Sequence, residues 1–130
     1  MEVMIVIAVI GVLMAIAAPN FARSMRVGKE RTLKADILRV RSAMAAFYSD
    51  TGCLPASLTD LTKAVAPSTC LNTASASKPL TASTFKGPYI PFIPHDAVSG
   101  SDLQYRMGGM PVVRSSASGT DSNGNSFDGY

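Results

Sequence analysis

The sequence predicts an α+β fold in which one long N-terminal α-helix packs against a small C-terminal antiparallel β-sheet. Residues 3–18 are all apolar or glycine, which indicates a helix that is apolar on every side. Two short segments, 103–107 and 111–115, flank Gly108-Gly109 and predict a hairpin. Between these regions, apolar residues recur at helical spacing at Leu33, Ile37, Val40, Met44 and Phe47.

The first element is a single helix that continues beyond its apolar run. Sixteen helical residues span about 24 Å, slightly less than the ~30 Å hydrocarbon core of a membrane. Pro19 closes the run; it removes one backbone hydrogen bond and kinks the axis without ending the helix. We therefore expect the helix to reach about Ser49, with Gly52 in the left-handed conformation behind it.

Three interpretations of residues 3–18 compete. A secretory signal peptide begins with basic residues, but the nearest basic side chain here is Arg23, which follows the run. A plain membrane anchor seldom carries a carboxylate at its edge, because a charge in lipid is costly, yet Glu2 stands there. An assembly helix would place Glu2 against a positive group of a neighbouring copy. The residues alone leave the plain anchor and the assembly helix open.

Basic side chains are concentrated just beyond the apolar run. The net charge is +3, but residues 23–41 hold seven basic and two acidic side chains, whereas residues 42–130 hold five basic and six acidic ones. Such a stripe suits phosphate or lipid head groups, although a solvated helix face is the interpretation that we favour. The seven are Arg23, Arg26, Lys29, Arg31, Lys34, Arg39 and Arg41.

Cys53 and Cys70 are the only cysteines, and an even pair in an exported protein predicts a disulfide. The bond would close an 18-residue loop and add about 3 kcal/mol of stability. A metal site would need more ligands than these two cysteines and the single histidine, His95, supply.

A short helix is predicted inside that loop. Ser57 and Asp60 have the spacing of an N-cap and its capping-box partner. Its apolar face would consist of Leu58, Leu61 and Val65, and Pro67 would stop it.

The next two segments are predicted without regular structure. Residues 68–86 are rich in Ser, Thr, Ala and Lys and indicate a loop. Residues 87–94 contain too many prolines for a central strand and predict an extended segment over the long helix. The side chains that would cover the helix are Tyr89, Ile90, Phe92 and Ile93.

Oxygen-bearing side chains alternate around a glycine near the C-terminus, at Asp121, Asn123, Asn125 and Asp128. Calcium takes six to eight oxygen ligands from such loops. The segment lacks the terminal glutamate and flanking helices of an EF-hand, and an ordinary Asn/Gly-rich turn is the favoured alternative. The sequence contains no phosphate loop and no Ser/His/Asp arrangement with supporting context, so we expect no enzyme.

The N-terminal residues resemble those of type IV pilins and type II secretion pseudopilins. The resemblance covers roughly the first fifty residues, and the glutamate, glycine and proline fall at the family's spacing: MEVMIVI with Glu2, then Gly11, then AAPNF with Pro19. In that family a prepilin peptidase removes a basic leader, and the mature chain begins with an N-methylated Phe before the glutamate. The resemblance therefore implies that a few mature residues and a leader precede Met1.

The resemblance further implies a pilin-like fold and a structural role in a helical filament, either a surface pilus (fimbrium) or a secretion pseudopilus. Residues 1–21 would form the transmembrane and assembly half of the helix, and residues 22–130 the globular domain. Glu2 would pair with the N-terminal amine of a neighbouring copy. The helix would loosen between Gly11 and Pro19. Major pseudopilins also bind calcium in a C-terminal loop, which favours that site here.

The expected partners are copies of the chain itself, inner-membrane assembly machinery, the prepilin peptidase, and lipid before assembly. The expected location is a bacterial inner membrane and afterwards an extracellular or periplasmic filament. Two alternatives stay open: a DNA-binding minor pilin of an uptake system, and an anchored protein that never polymerises.

Overall fold

The computed structural model describes residues 2–107 and 112–130, and it confirms the predicted α+β fold with its pilin-like layout. One long helix, α1 (Glu2–Thr51), precedes a body made of short elements. The strands are β1 (Thr69–Leu71), β2 (Ser77–Pro79), β3 (Gln104–Arg106) and β4 (Val112–Arg114). Short 3-10 helices lie at Leu58–Thr62, Ala82–Thr84 and Phe127–Gly129.

The helix α1 passes through Pro19 and ends two residues beyond the predicted Ser49. Gly52 follows with φ of +67°, the left-handed conformation expected of a glycine at a helix end. Its N–H donates to the Tyr48 carbonyl at 2.8 Å, which satisfies one carbonyl of the last turn.

Burial divides α1 into two parts. Residues 2–26 are exposed on every side, and Glu30 is the first buried residue. From there one stripe faces the body, as the spacing predicted, through Leu33, Ile37, Val40, Ala43, Met44 and Phe47. The body therefore covers only the second part of the helix.

The core lies between that stripe and the body. Phe47 is fully buried, and its ring meets the rings of Phe85 and Tyr89 edge to face, at centroid distances of 6.0 and 5.5 Å. Burying a side chain of this size contributes roughly 1.5–3 kcal/mol. The other buried apolar residues of the body are Cys53, Leu54, Leu58, Leu61, Cys70, Ile90, Leu103, Val113, Ala117 and Phe127.

The disulfide between Cys53 and Cys70 is present, with the two Cα atoms 5.9 Å apart. It joins the end of α1 to β1. Leu54 and Leu71 form a backbone bridge beside it, with N–H···O distances of 2.7 and 2.8 Å. The start of the body is thus attached to the end of the helix by one covalent bond and two hydrogen bonds.

The prediction of a loop over residues 68–86 was wrong, because β1 and β2 form an antiparallel hairpin there. The side chain of Asn72 stabilises the turn by accepting the N–H groups of Ala74 and Ala76 at 2.9 and 2.8 Å. The strands are short and mostly exposed. Their sequences therefore lack the alternation of apolar and polar residues that indicates a half-buried strand.

The second hairpin pairs β3 with β4, with Tyr105 opposite Val113. The strand β3 is shorter than the predicted segment 103–107, and β4 ends one residue before the predicted Ser115. The predicted turn at Gly108-Gly109 lies outside the described residues.

Two further details differ from the predictions. The short helix is a 3-10 helix that ends at Thr62, so Val65 lies beyond it and is 78% exposed. Its start is as predicted, since the Ser57 N–H donates to Asp60 Oδ2 at 3.0 Å. In the proline-rich segment Ile90 is buried, but Phe92 is 61% exposed and does not cover the helix.

Candidate functional site

The largest exposed feature is the first part of α1, and we call residues 3–21 the apolar arm. The helix is long and apolar enough to cross a membrane, and none of its most apolar stretch is buried against the body. The large side chains of the arm are between 47 and 79% exposed. They are Val3, Met4, Ile5, Val6, Ile7, Val9, Ile10, Val12, Leu13, Met14, Ile16 and Phe21.

Glu2 precedes the arm, and Gly11 and Pro19 lie within it, all three exposed. A Cβ added at Gly11 would meet nothing within 4 Å, so its open side is available to another helix or to lipid. Pro19 has no N–H and leaves the Ala15 carbonyl without its helical partner. The structure thus places the three residues along one rod, and their assembly roles stay predictions.

A second candidate site is the junction between the arm and the body, where residues 119–130, here called the C-terminal turn, contact α1. Arg26 Nη2 donates to the Thr120 carbonyl at 2.9 Å. The backbone N–H and the hydroxyl of Ser122 donate to the Glu30 carboxylate at 3.0 and 2.5 Å. These bonds join residues about ninety positions apart and hold the turn beside the base of the arm.

The Glu30 carboxylate is buried and keeps its charge. The hydrogen bond from the Ser122 hydroxyl lowers the pKa of Glu30, and this outweighs burial, which acts in the opposite direction. Arg26 adds a salt bridge at 3.2 Å. Sequence reasoning missed Glu30, although the signal was present: it lies three residues before Leu33 on the apolar stripe. A carboxylate at such a position needs donors from the body.

Asp121 is the centre of the C-terminal turn. Its carboxylate accepts the N–H groups of Asn123 and Asn125, both at 2.8 Å, and the Tyr130 hydroxyl. Lys34 lies 3.4 Å from the same carboxylate and 4.4 Å from the centroid of the Tyr130 ring. The bond from Tyr130, followed by those from the backbone, holds the pKa of Asp121 well below its usual range.

The candidate calcium ligands are brought into one turn, but two of them, Asp121 and Asn125, are hydrogen-bonded to each other. Asn125 directs its amide nitrogen to Asp121 Oδ2 at 3.3 Å, and Asp128 is exposed. Within residues 2–107 and 112–130, no group of three or more His, Cys, Asp or Glu side chains has an arrangement suited to a metal ion. Calcium binding by Asp121, Asn123, Asn125 and Asp128 stays a prediction.

The basic stripe is partly used inside the chain. Besides Arg26 and Lys34, Arg41 Nη2 donates to the Val113 carbonyl at 3.0 Å, and Arg39 lies 4.0 Å from Asp36. These four side chains hold the body on α1 or pair along it. Arg23, Lys29 and Arg31 are exposed. DNA contact by the stripe stays a prediction.

Asp96 is a buried polar centre that the sequence did not reveal. It accepts the N–H groups of Val98 and Ser99 at 2.8 and 3.0 Å and the Ser115 hydroxyl at 2.5 Å. Burial raises the pKa of Asp96, but the bonds, led by that from Ser115, outweigh it and lower the pKa. Asp96 therefore fastens the loop before β3 to the segment after β4.

No family model, no curated protein and no solved structure matches this chain. The exposed apolar arm and the junction at Glu30 are the two features of the molecule that bear most directly on function. The arm indicates that the N-terminal part of the chain requires an apolar environment. The junction holds the C-terminal turn of the body against α1 beside the base of the arm.

Proposed function

We propose that this protein is a membrane-anchored structural subunit of the type IV pilin superfamily. Copies are held in a bacterial inner membrane by the apolar arm and polymerise through it into a helical filament. The observation that carries the proposal is the division of α1 into an arm that the body leaves bare and a second part that the body covers.

The arm requires other apolar surface around it. Soluble monomers rarely expose apolar patches larger than a few hundred Å², whereas this arm is apolar on all sides from residue 3 to residue 18. Lipid satisfies that requirement before assembly, and neighbouring arms satisfy it in the filament. The disulfide supports an exported body, because such bonds persist in oxidising compartments.

Glu2 favours polymerisation over simple anchoring. In a lone anchor its carboxylate sits at the head groups and has no further role. In a filament core the carboxylate is dry and needs a cation, which the N-terminal amine of a neighbouring copy supplies. Removing one member of such a pair leaves an uncompensated buried charge, which is strongly unfavourable. The pair thereby selects one register between arms.

The test is the Glu2→Ala variant, compared with wild type for abundance in the membrane fraction and for yield of sheared filaments. We expect normal membrane levels, because insertion depends on apolar length, and a strong loss of filaments. Val3→Ala is the matched control: it removes a neighbouring exposed side chain but no charge, and it should assemble normally.

Normal filament yield from Glu2→Ala would contradict the pairing role and leave a plain anchor. A chain that forms no filaments even in its wild-type form, while remaining in the membrane, would favour the non-polymerising alternative. DNA affinity that falls steeply with salt would instead support an uptake receptor.

A further inference from the structure

A cleft of about 250 Å³ lies at the junction, directly beyond the arm. One wall is α1 and the other is the C-terminal turn, so both halves of the chain contribute to it. The cleft is smaller than the roughly 300–1,000 Å³ of ordinary small-molecule pockets, which suits a compact polar group. Its lining residues are Arg23, Val27, Glu30, Arg31, Lys34, Ser122 and Asn123.

The charge around this cleft is positive after the internal pairs are subtracted. Glu30 is compensated by Ser122 and Arg26, and Lys34 is directed to Asp121 and Tyr130. Arg23 and Arg31 are exposed, and neither forms an ion pair with any carboxylate in the described part of the chain. Two guanidinium groups thus border a polar cleft without a counter-charge, and guanidinium binds phosphate oxygens in bidentate fashion.

The position of the cleft along α1 is that of a membrane interface. At 1.5 Å per residue Arg23 lies about 8 Å beyond Ala18, which is roughly the thickness of one head-group layer. Arg31 is about 12 Å farther along and lies beyond the head-group layer, and its side chain tilts back towards the arm because helical side chains point towards the N-terminus. Phosphate groups of lipids that contact the arm therefore lie within reach of the cleft.

We propose that this cleft binds the phosphate of an anionic phospholipid, with Arg23 and Arg31 as its cationic contacts and Ser122 and Asn123 as polar neighbours. The inference rests on the membrane anchoring of the proposed function but does not require polymerisation. The lipid head group contacts both α1 and the C-terminal turn, and it thereby fixes the height of the body above the membrane. Charge complementarity and continuity with the apolar arm select lipid as the occupant.

The test uses the full chain in non-ionic detergent, offered equal amounts of phosphatidylglycerol and phosphatidylcholine, with the bound lipids counted by native mass spectrometry. Each basic residue near a lipid surface contributes an attraction that corresponds to about fivefold in affinity. We expect phosphatidylglycerol to be retained at least about fivefold over phosphatidylcholine, and this preference to disappear in the double variant Arg23→Gln/Arg31→Gln.

Arg39→Gln is the control for each single change, Arg23→Gln and Arg31→Gln, since it removes one arginine charge from the same helix at an exposed side chain outside the cleft. It should keep the full lipid preference. Circular dichroism in the tyrosine region, compared with wild type, shows whether the body of each variant is intact.

Equal retention of the two lipids by wild type would overturn the proposal. An equal loss of preference in Arg39→Gln would also overturn it, because the lipid preference would then depend on the net charge of the chain and not on the cleft. Displacement of phosphatidylglycerol by inorganic phosphate at constant ionic strength would show a free-phosphate site instead of a lipid site. Because this assay needs no filament, its failure and the failure of the assembly proposal are separate results.

Discussion

The two parts of α1 share one continuous backbone but depend on different surroundings. From residue 30 onward a single stripe is buried by the chain's own body, and the other faces carry charge. In the arm every face is apolar from residue 3 to residue 18, and none is covered by the body. The comparison shows that helix continuity and helix burial are separate properties here. The second part is covered within one molecule, whereas the arm is left uncovered by the body.

The largest expected difference between the two parts concerns their phenylalanines. Phe47 is fully buried in the aromatic cluster, and Phe21 is 68% exposed on the arm. We expect Phe47→Ala to lower the free energy of unfolding by about 3–5 kcal/mol, because it removes a large core side chain and leaves a cavity. Phe21→Ala should change it by less than about 0.5 kcal/mol. Guanidinium unfolding of the full chain in detergent measures both.

Tyr48→Ala is a control for the helix itself, since Tyr48 neighbours Phe47 but is 45% exposed. Comparable losses for Phe21→Ala and Phe47→Ala would contradict the division of α1, because they would mean that the arm packs on the body.

The disulfide should matter only to the body. Cys70→Ser removes the bond that ties β1 to the end of α1, and we expect the free energy of unfolding to fall by about 3 kcal/mol. The helical signal of the arm in detergent should stay unchanged. Labelling of both cysteines by a thiol reagent in the native wild-type protein would show that the bond does not form in solution.

Acid should loosen the junction before the arm. Hydrogen bonds lower the pKa values of Glu30 and Asp121 in the folded state, so both contribute stability above their ordinary values near 4.5 and 3.8. That contribution is lost as pH falls below those values towards the folded-state pKa values. We expect the denaturant concentration at the midpoint of unfolding to be lower at pH 3 than at pH 5. These two pH values bracket the ordinary range of carboxyl pKa values.

Asp121→Asn should be less stable than wild type at neutral pH and should show a weaker dependence on acid. Asp128→Asn, on an exposed side chain of the same turn, is the control and should follow wild type. An unaltered acid profile in Asp121→Asn would show that the carboxylate does not support the junction.

The smallest expected effect concerns calcium. The two oxygens of Asp121 already accept hydrogen bonds from backbone, amide and phenol donors. A calcium ion would have to displace these donors, so we expect a chelator to leave the melting temperature of the full chain unchanged. A rise in melting temperature on adding calcium, lost in Asp121→Asn, would establish the ion site, because binding to the folded state alone must stabilise it.

The parts of the fold that could be predicted are those with a repeating pattern or a strong local signal. The stripe from Leu33 to Phe47 repeats at helical spacing, and Gly52 and the Ser57–Asp60 pair are local end signals. The disulfide could be predicted from the composition alone, because the chain contains only two cysteines. Each of these features depends on residues close in sequence or on a residue type with few alternatives.

The parts that escaped prediction depend on partners far along the chain. The strands β1 and β2 are as short as β3 and β4, but no glycine pair in the sequence between them indicated a turn. From the sequence, Glu30 and Asp96 could not be distinguished from solvent-exposed charges. Their hydrogen-bond donors Ser122 and Ser115 lie far from them along the chain. The cleft at the junction arises from the same long-range contacts, and only the basic stripe on one of its walls was visible in the sequence.

The contact between Glu30 and Ser122 has a consequence for the order of events during synthesis. The two residues are 92 positions apart, so Glu30 leaves the ribosome with Arg26 already present but long before Ser122 exists. At about 5–20 residues per second the delay lasts several seconds. During that interval the residues that cover the apolar stripe of α1, such as Tyr89 and Ile90, are synthesised before the last contact with Glu30 can form. A chain interrupted before residue 119 would contain most of the body that covers the apolar stripe, but its Glu30 carboxylate would have Arg26 as a donor without Ser122.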